Sequence, residues 1–381
     1  MSQFATSKLQ PFHAMEILGR AKALEATGRQ ISHLEVGEPG VPPAPRVIDA
    51  VRAALPEAQR YTHSKGQIEL RLALADYYRA QHGVDVDPEL IIATMGSSSG
   101  FILAFLGAFE PGAKIAVTRP GYPAYLNTLD GLNFSAVEIP VTAASGWHLT
   151  GAAIAAAFER EPFQGLLFAS PANPTGAAVD RAGLSDIIAT CRRLGVRFIS
   201  DEIYHGLDYR GPSVSALELS RDAIVINSFS KYYCMTGWRI GWMVLPEDLV
   251  RRTEILQQNL FISAPTLSQI AARVALGERD YSEAQKAHYA ENRLVLDAGL
   301  RSLGFTLGAV PDGAFYAYAD VSAFTNDSLD FCKVLLEEAG VAATPGIDFD
   351  RVDGRRFVRF SYAGTRNTMD QALDRMARFL K

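Results

Sequence analysis

One lysine, Lys231, follows a buried strand and has anion-binding groups near it in sequence. The apolar run at residues 223–227 predicts that strand, and ligands of open α/β sheets bind at the carboxyl ends of strands. Partial burial favours a neutral amine, which can form a Schiff base with an aldehyde. Ser228 and Arg239 flank the lysine, and a hydroxyl and a guanidinium suit a phosphate. The segment therefore predicts a reactive amine close to a phosphate-binding site, the combination that binding of pyridoxal phosphate would require. A surface lysine after a strand is the alternative.

Other predicted strand ends carry polar or aromatic residues. Ser97 and Ser98 begin a helix after a strand, where free N–H groups could seat a phosphate, although serine N-caps explain them equally well. Tyr122 could stack on a flat ring or pack in its loop. Asn173, in a turn with two prolines, could donate to a ligand or simply favour the turn. Asp201 follows a buried strand and needs a partner, either a protonated ring nitrogen or a salt bridge.

Three more positions have a possible functional role. Arg359 lies among apolar residues of the last predicted strand and requires a carboxylate partner, from a protein side chain or from a substrate. Gly37 lies in a turn-rich segment where backbone can approach a ligand closely. Tyr61, in a loop before a helix, is by itself best interpreted as a surface aromatic residue.

The elements that would position these residues alternate between strand and helix from about residue 90 to residue 241. This alternation predicts an α/β fold, with a mostly parallel sheet flanked by helices in a large domain. A long helix at about 281–303 should bridge to a smaller α+β domain. We expect residues 45–280 to form the large domain and 281–381 the small one. Residues 1–44 should pack with the small domain, which both termini then build.

Composition restricts the function classes. With 381 residues, the chain is long enough for two domains, and a net charge of −5 without a basic block argues against nucleic-acid binding. No apolar run is long enough to span a bilayer, and the N-terminus lacks a signal-peptide pattern. The three dispersed cysteines indicate a reducing cytoplasm rather than a disulfide framework. The seven histidines show no metal-binding spacing.

Three motifs, in this order and spacing, resemble the class I/II aminotransferases, which are pyridoxal-phosphate-dependent enzymes of fold type I. They are NPTG at 173–176, DEIY at 201–204, and SFSK at 228–231 together with TGWRIG at 236–241. The resemblance covers nearly the whole chain. It implies pyridoxal 5'-phosphate as the cofactor, an L-amino acid and a 2-oxo acid as substrates, and a homodimer with shared active sites.

The resemblance also implies roles for the matching residues. Lys231, Asp201 and Tyr204 would be catalytic, with Lys231 as the Schiff-base lysine and Asp201 paired with the ring nitrogen. The implied cofactor ligands are Ser97, Ser98, Tyr122, Asn173, Asp201, Tyr204, Ser228, Lys231, Arg239 and, from the neighbouring subunit, Tyr61. The implied substrate ligands are Gly37, Asn173 and Arg359, the last for the α-carboxylate. Transamination would follow a ping-pong aldimine/ketimine mechanism in which Lys231 moves a proton from Cα.

Some specificity questions stay open at this stage. Aspartate-specific members use a further arginine, and none can be assigned here, so dicarboxylate specificity is in doubt. Phe4, Phe12, Tyr122 and Phe261 could line an apolar side-chain pocket or belong to the core. A carbon–sulfur lyase of the same fold would use the same lysine, aspartate and arginine. A non-catalytic regulatory protein that binds pyridoxal phosphate is a further alternative. Such regulators carry an N-terminal DNA-binding domain, but only about forty residues precede the predicted large domain, and that stretch is not basic overall.

Overall fold

The structure, a computed structural model, describes residues 9–381 of the chain. In that range the helices are α1 (His13–Glu25), α2 (Pro45–Ala54), α3 (Ile68–His82), α4 (Gly96–Ala108), α5 (Pro123–Gly131), α6 (Gly151–Arg160), α7 (Arg181–Leu194), α8 (Glu247–Leu260), α9 (Thr266–Ala275), α10 (Arg279–Ser302), α11 (Ser328–Val334) and α12 (Arg366–Phe379). The strands are β1 (Ser32–His33), β2 (Ile91–Thr94), β3 (Lys114–Arg119), β4 (Ser135–Pro140), β5 (Gly165–Ala169), β6 (Arg197–Asp201), β7 (Ile224–Ser228), β8 (Gly241–Val244), β9 (Thr306–Leu307), β10 (Tyr316–Asp320), β11 (Val341–Ala342), β12 (Thr344–Pro345) and β13 (Phe357–Ser361).

The central sheet has the strand order β2-β8-β7-β6-β5-β3-β4. The pairs that β8 makes with β2 and β7 are antiparallel, and the other pairs are parallel. Side chains of β7 alternate between two apolar layers, with Val225 in one and Ile224 and Ile226 in the other. Helices therefore cover both faces, which explains why the central strands are continuous apolar runs. The predicted α/β fold class with a mostly parallel sheet is confirmed.

A smaller antiparallel sheet, β12-β13-β10-β9, is formed by residues after α10. The N-terminal strand β1 pairs in parallel with β11, so that Ser32 lies opposite Val341. The helix α1 contacts β12 and α11 in the same part of the molecule. Both ends of the described chain thus meet around this sheet, while the domain boundaries expected after residues 44 and 280 stay a prediction.

Local signals explain most elements, but not β8 and α5. Helix α7 begins where the Asp180 side chain accepts from the N–H of Gly183 (2.8 Å) and ends at Gly195, whose φ is 70°. No helix is predicted after Tyr122, which the sequence places in a loop, but α5 begins at the next residue, Pro123, since proline is tolerated at the first helical position. No helix among residues 9–381 is long and apolar enough to cross a membrane.

Candidate active site

A cavity of about 510 Å³ lies where several central strands end. Ala169 ends β5, Asp201 ends β6, and Lys231 follows β7 by a short turn. This edge of the sheet is where open α/β folds bind ligands. The predicted site residues that line the cavity are Gly37, Ser97, Ser98, Tyr122, Asn173, Asp201, Tyr204, Lys231, Arg239 and Arg359.

Lys231 presents its amine to the cavity. Its Nζ donates a hydrogen bond to the carbonyl oxygen of Gly37 at 2.6 Å and lies 6.0 Å from the Tyr204 ring centroid. Burial, and secondly the positive charge of Arg359, lower the pKa of Lys231 to about 8. Roughly a tenth of the amine is therefore in the neutral, nucleophilic form at about pH 7.

Asp201 is buried and has no cationic partner in ion-pair contact within the described residues. The backbone N–H of Ile203 donates to its Oδ1 at 3.0 Å, and the hydroxyl of Tyr125 donates to its Oδ2. Burial raises the pKa of Asp201 to about 6, although both hydrogen bonds favour the ionised form. Tyr125 was missed by the sequence analysis because it lies in the unpredicted helix α5. The salt bridge considered for Asp201 is not formed within this part of the chain.

Arg359 lies on β13 and its guanidinium is enclosed by aromatic rings. The guanidinium carbon lies 4.3 Å from the Tyr316 ring centroid and 4.8 Å from that of Phe349. Its Nη1 donates to Asn173 Oδ1 at 2.9 Å, and its Nη2 donates to the carbonyl oxygen of Glu35 at 2.5 Å. These acceptors are neutral, and Arg359 forms no ion pair with any residue from 9 to 381. The charge thus remains available for a carboxylate ligand.

Another part of the cavity wall has the features of an anion-binding site. Ser97 and Ser98 lie in the first turn of α4, where backbone N–H groups lack helical partners and the dipole is positive. Arg239 adopts a left-handed conformation, with φ of 50°, beside this turn. Gly96 has a φ of 71°, which favours glycine, and an added Cβ would lie 2.6 Å from the Arg239 guanidinium, so a side chain there would strain the backbone and displace the arginine. Ser97, Ser98 and Arg239 together could hold a phosphate.

Ser228 does not line the cavity itself, but its hydroxyl contacts a residue that does. Its Oγ donates to the carbonyl oxygen of Ile240 at 3.1 Å and lies 2.8 Å from the Oγ of Ser230. Ser230, which sequence analysis did not single out, lines the cavity instead. Ser230 could have been found from the sequence, because it belongs to the same SFSK motif as Ser228 and Lys231.

The hydroxyl oxygens of Tyr204 and Tyr316 lie 2.6 Å apart in a hydrogen bond at the cavity wall. Gly37 packs against the same Tyr316, because an added Cβ would lie 1.8 Å from its hydroxyl oxygen. Tyr316 was missed because nothing in its strand distinguishes it from a core aromatic residue. Tyr61 is 84% exposed and lies outside the cavity of its own chain.

Of the aromatic residues considered for a side-chain pocket, Phe12 and Tyr122 line the cavity. Their ring centroids lie 6.4 Å apart in an edge-to-face arrangement. Phe261 does not line this cavity, and Phe4 lies outside the described residues.

The fold and the site define an α/β enzyme with a nucleophilic lysine, a buried carboxylate and a free arginine around one cavity. Residues 29–376 match the family model described as "Aminotransferase class I and II". The chain belongs to this family and is an aminotransferase, an enzyme that moves an amino group between an amino acid and a 2-oxo acid. The predicted family and activity are confirmed.

Several known proteins are similar over nearly their whole length. The chain is 44% identical to a valine–pyruvate aminotransferase of Mycobacterium tuberculosis, over 97% of this chain and 96% of the relative. It is 34% identical to a (5-formylfuran-3-yl)methyl phosphate transaminase of Methanocaldococcus jannaschii, over 97% of each chain. A crystal structure of a Mycobacterium tuberculosis aminotransferase has a TM-score of 0.96 and 42% identity, covering 100% of this chain and 99% of the other. These names favour transamination over the carbon–sulfur lyase and regulatory alternatives.

Proposed function

We propose that the protein binds pyridoxal phosphate in this cavity and transaminates amino acids with apolar side chains, using pyruvate as an amino acceptor. One observation carries the proposal. The amine of Lys231 shares a cavity with a buried carboxylate, Asp201, and an enclosed guanidinium, Arg359, and neither charge has an ion-pair partner among residues 9–381. Unpaired buried charges are costly, so both groups favour a ligand that carries the opposite charges.

The residues present fit this cofactor. A volume of about 510 Å³ is within the usual range of small-molecule sites. Asp201 can accept a hydrogen bond from a protonated ring nitrogen, and the ring of Tyr122 offers a stacking surface. Ser97 and Arg239 supply donors for the phosphate at the start of α4. Asn173 and Tyr204 offer donors for the phenolic oxygen.

When bound, pyridoxal phosphate supplies an aldehyde for covalent attachment and a conjugated ring that accepts electrons from the substrate Cα. Arg359 binds the substrate α-carboxylate through paired hydrogen bonds and thereby fixes which Cα bond is broken. Asp201, ionised with the help of Tyr125, holds a proton on the ring nitrogen. Lys231 takes the proton from Cα as a general base, since its lowered pKa of about 8 leaves an accepting form near neutral pH.

The substrate side chain would meet an apolar wall. Phe12, Ala14 and Met15 from the α1 region line the cavity, together with Val36 and Phe101. The lining cations among the described residues are Lys231, Arg239 and Arg359, and each already has a proposed role. A side-chain carboxylate would therefore find no free cationic partner within its own subunit, which disfavours aspartate. The name of the valine–pyruvate relative supports the same choice.

We also propose a cytoplasmic homodimer in which each subunit lends Tyr61 to the phosphate site of the other. Tyr61 is exposed, and so are the apolar side chains of Leu55, Ile68 and Leu72 in the neighbouring sequence. Such exposure near one surface segment favours a protein interface. The three cysteines are buried and free, which is compatible with a reducing compartment.

The test is a substrate panel with the purified holoenzyme. Valine, alanine, phenylalanine and aspartate are each incubated with pyruvate or 2-oxoglutarate, and keto-acid formation is measured. With alanine as donor, 2-oxoglutarate is the informative acceptor. We expect valine to exceed aspartate by at least about tenfold in kcat/KM. Aspartate as the preferred donor would contradict the proposed substrate class. Acceptor-independent release of pyruvate and thiol from cystathionine would contradict transamination itself.

A further inference from the structure

The start of α1, which contributes Phe12, Ala14 and Met15 to the cavity, is held by a distant residue. Phe12 occupies the N-cap position and has no side-chain oxygen that could satisfy the first N–H groups of the helix. The side chain of Asp348 performs the role of the missing N-cap side chain. Its Oδ1 accepts from the N–H of His13 at 3.0 Å, and its Oδ2 accepts from the N–H of Ala14 at 2.9 Å. The position of this wall therefore depends on a tertiary contact.

The residue after Asp348 lies against the proposed carboxylate site. The ring of Phe349 is buried, and its centroid lies 4.8 Å from the guanidinium carbon of Arg359. Its carbonyl oxygen accepts from the N–H of Gly121 at 3.0 Å, next to Tyr122 in the cavity wall. Adjacent residues thus contact both the helix that lines the apolar end and the arginine at the carboxylate end.

We propose that Asp348 is a positioning residue for substrate selection. By holding the start of α1, it sets the distance between the apolar residues Phe12, Ala14 and Met15 and the carboxylate-binding Arg359. That distance determines which size of substrate side chain fits. The inference rests on the proposed function. Asp348 does not line the cavity, and it would act through the N-terminus of α1. Because Asp348 and Phe349 are consecutive residues, the contact to α1 and the contact to Arg359 are tied to one short segment of backbone, which sets their separation as side-chain selection requires.

Asp348→Ala removes both acceptors, and Asp348→Asn keeps one. Valine has two more methyl-sized groups than alanine to bury against the wall, so the ratio of kcat/KM for valine to that for alanine should fall by roughly tenfold in Asp348→Ala. The fall should come mainly from a higher KM for valine. Asp348→Asn should lie between the wild type and Asp348→Ala, because its amide oxygen still accepts one N–H group.

The matched control is Arg20→Ala. Arg20 lies on the same helix, is largely exposed, and pairs with Glu337 at 2.5 Å. This variant loosens α1 away from the cavity, and we expect the valine-to-alanine ratio to change by less than about twofold. Thermal unfolding and cofactor absorbance establish that each variant is folded and loaded. Parallel losses for valine and alanine in Asp348→Asn, or an equal change in Arg20→Ala, would overturn the inference. A wild-type enzyme inactive with every amino donor would overturn the proposed function as well.

Discussion

The lowered pKa of Lys231 predicts how the cofactor-free enzyme should react with pyridoxal phosphate at different pH. Only the neutral amine attacks an aldehyde. With a pKa of about 8 instead of 10.5, roughly one amine in ten is neutral at about pH 7, whereas an ordinary lysine has roughly one in three thousand. We expect the rate of covalent attachment to rise about tenfold between ~pH 7 and ~pH 9 and then to level off.

Two variants should move the midpoint of this profile in opposite directions. The positive charge of Arg359 lowers the pKa of Lys231, so Arg359→Gln should raise it. The negative charge of Glu38 raises that pKa, so Glu38→Gln should lower it. Each shift should be on the order of half a pKa unit, because single charges in a partly enclosed cavity interact through a moderate effective dielectric.

The assay is stopped-flow absorbance of the enzyme after the cofactor has been removed, at constant ionic strength across the pH range. Lys231→Ala supplies the baseline, since it cannot attach the aldehyde covalently. A wild-type midpoint near that of free lysine would refute the argument that burial favours the neutral amine. Midpoints that move in the same direction in Arg359→Gln and Glu38→Gln would refute the assignment of the electrostatic causes.

Three further predictions concern the same cavity. Arg359→Gln should lower kcat/KM for valine by roughly a hundredfold, mainly through KM, because paired hydrogen bonds to the carboxylate are lost; a loss confined to kcat would contradict this role. Tyr125→Phe removes a hydrogen bond that favours ionised Asp201, so equilibrium dialysis should show roughly tenfold weaker cofactor binding, and unchanged affinity would count against it. If sites are shared, mixing dissociated Tyr61→Ala and Lys231→Ala subunits should restore about a quarter of wild-type activity. Random pairing makes about half of the dimers mixed, and one of the two sites in each mixed dimer has both Tyr61 and Lys231. No recovery in verified mixed dimers would contradict the shared site.

Elements with strong local signals could be predicted, and those without them could not. The apolar run of β7 and the caps of α7 are encoded within a few neighbouring residues. The strand β8 has only four residues and begins at Gly241, the last residue of the TGWRIG motif, so no turn separates it from that motif. Its antiparallel place between β2 and β7 depends on pairing with residues far away in sequence.

The sequence by itself determined the kind of chemistry, because lysine, aspartate and arginine stand at recognisable strand ends and within motifs of fixed spacing. Only the tertiary structure decided which groups surround them. Tyr125 reaches Asp201 from 76 residues away, and Asp348 holds the start of α1 from 335 residues away. Charge and periodicity are properties of neighbouring residues. Hydrogen bonds between distant segments, and the burial that lowers the pKa of Lys231, arise only when the strands and helices pack together.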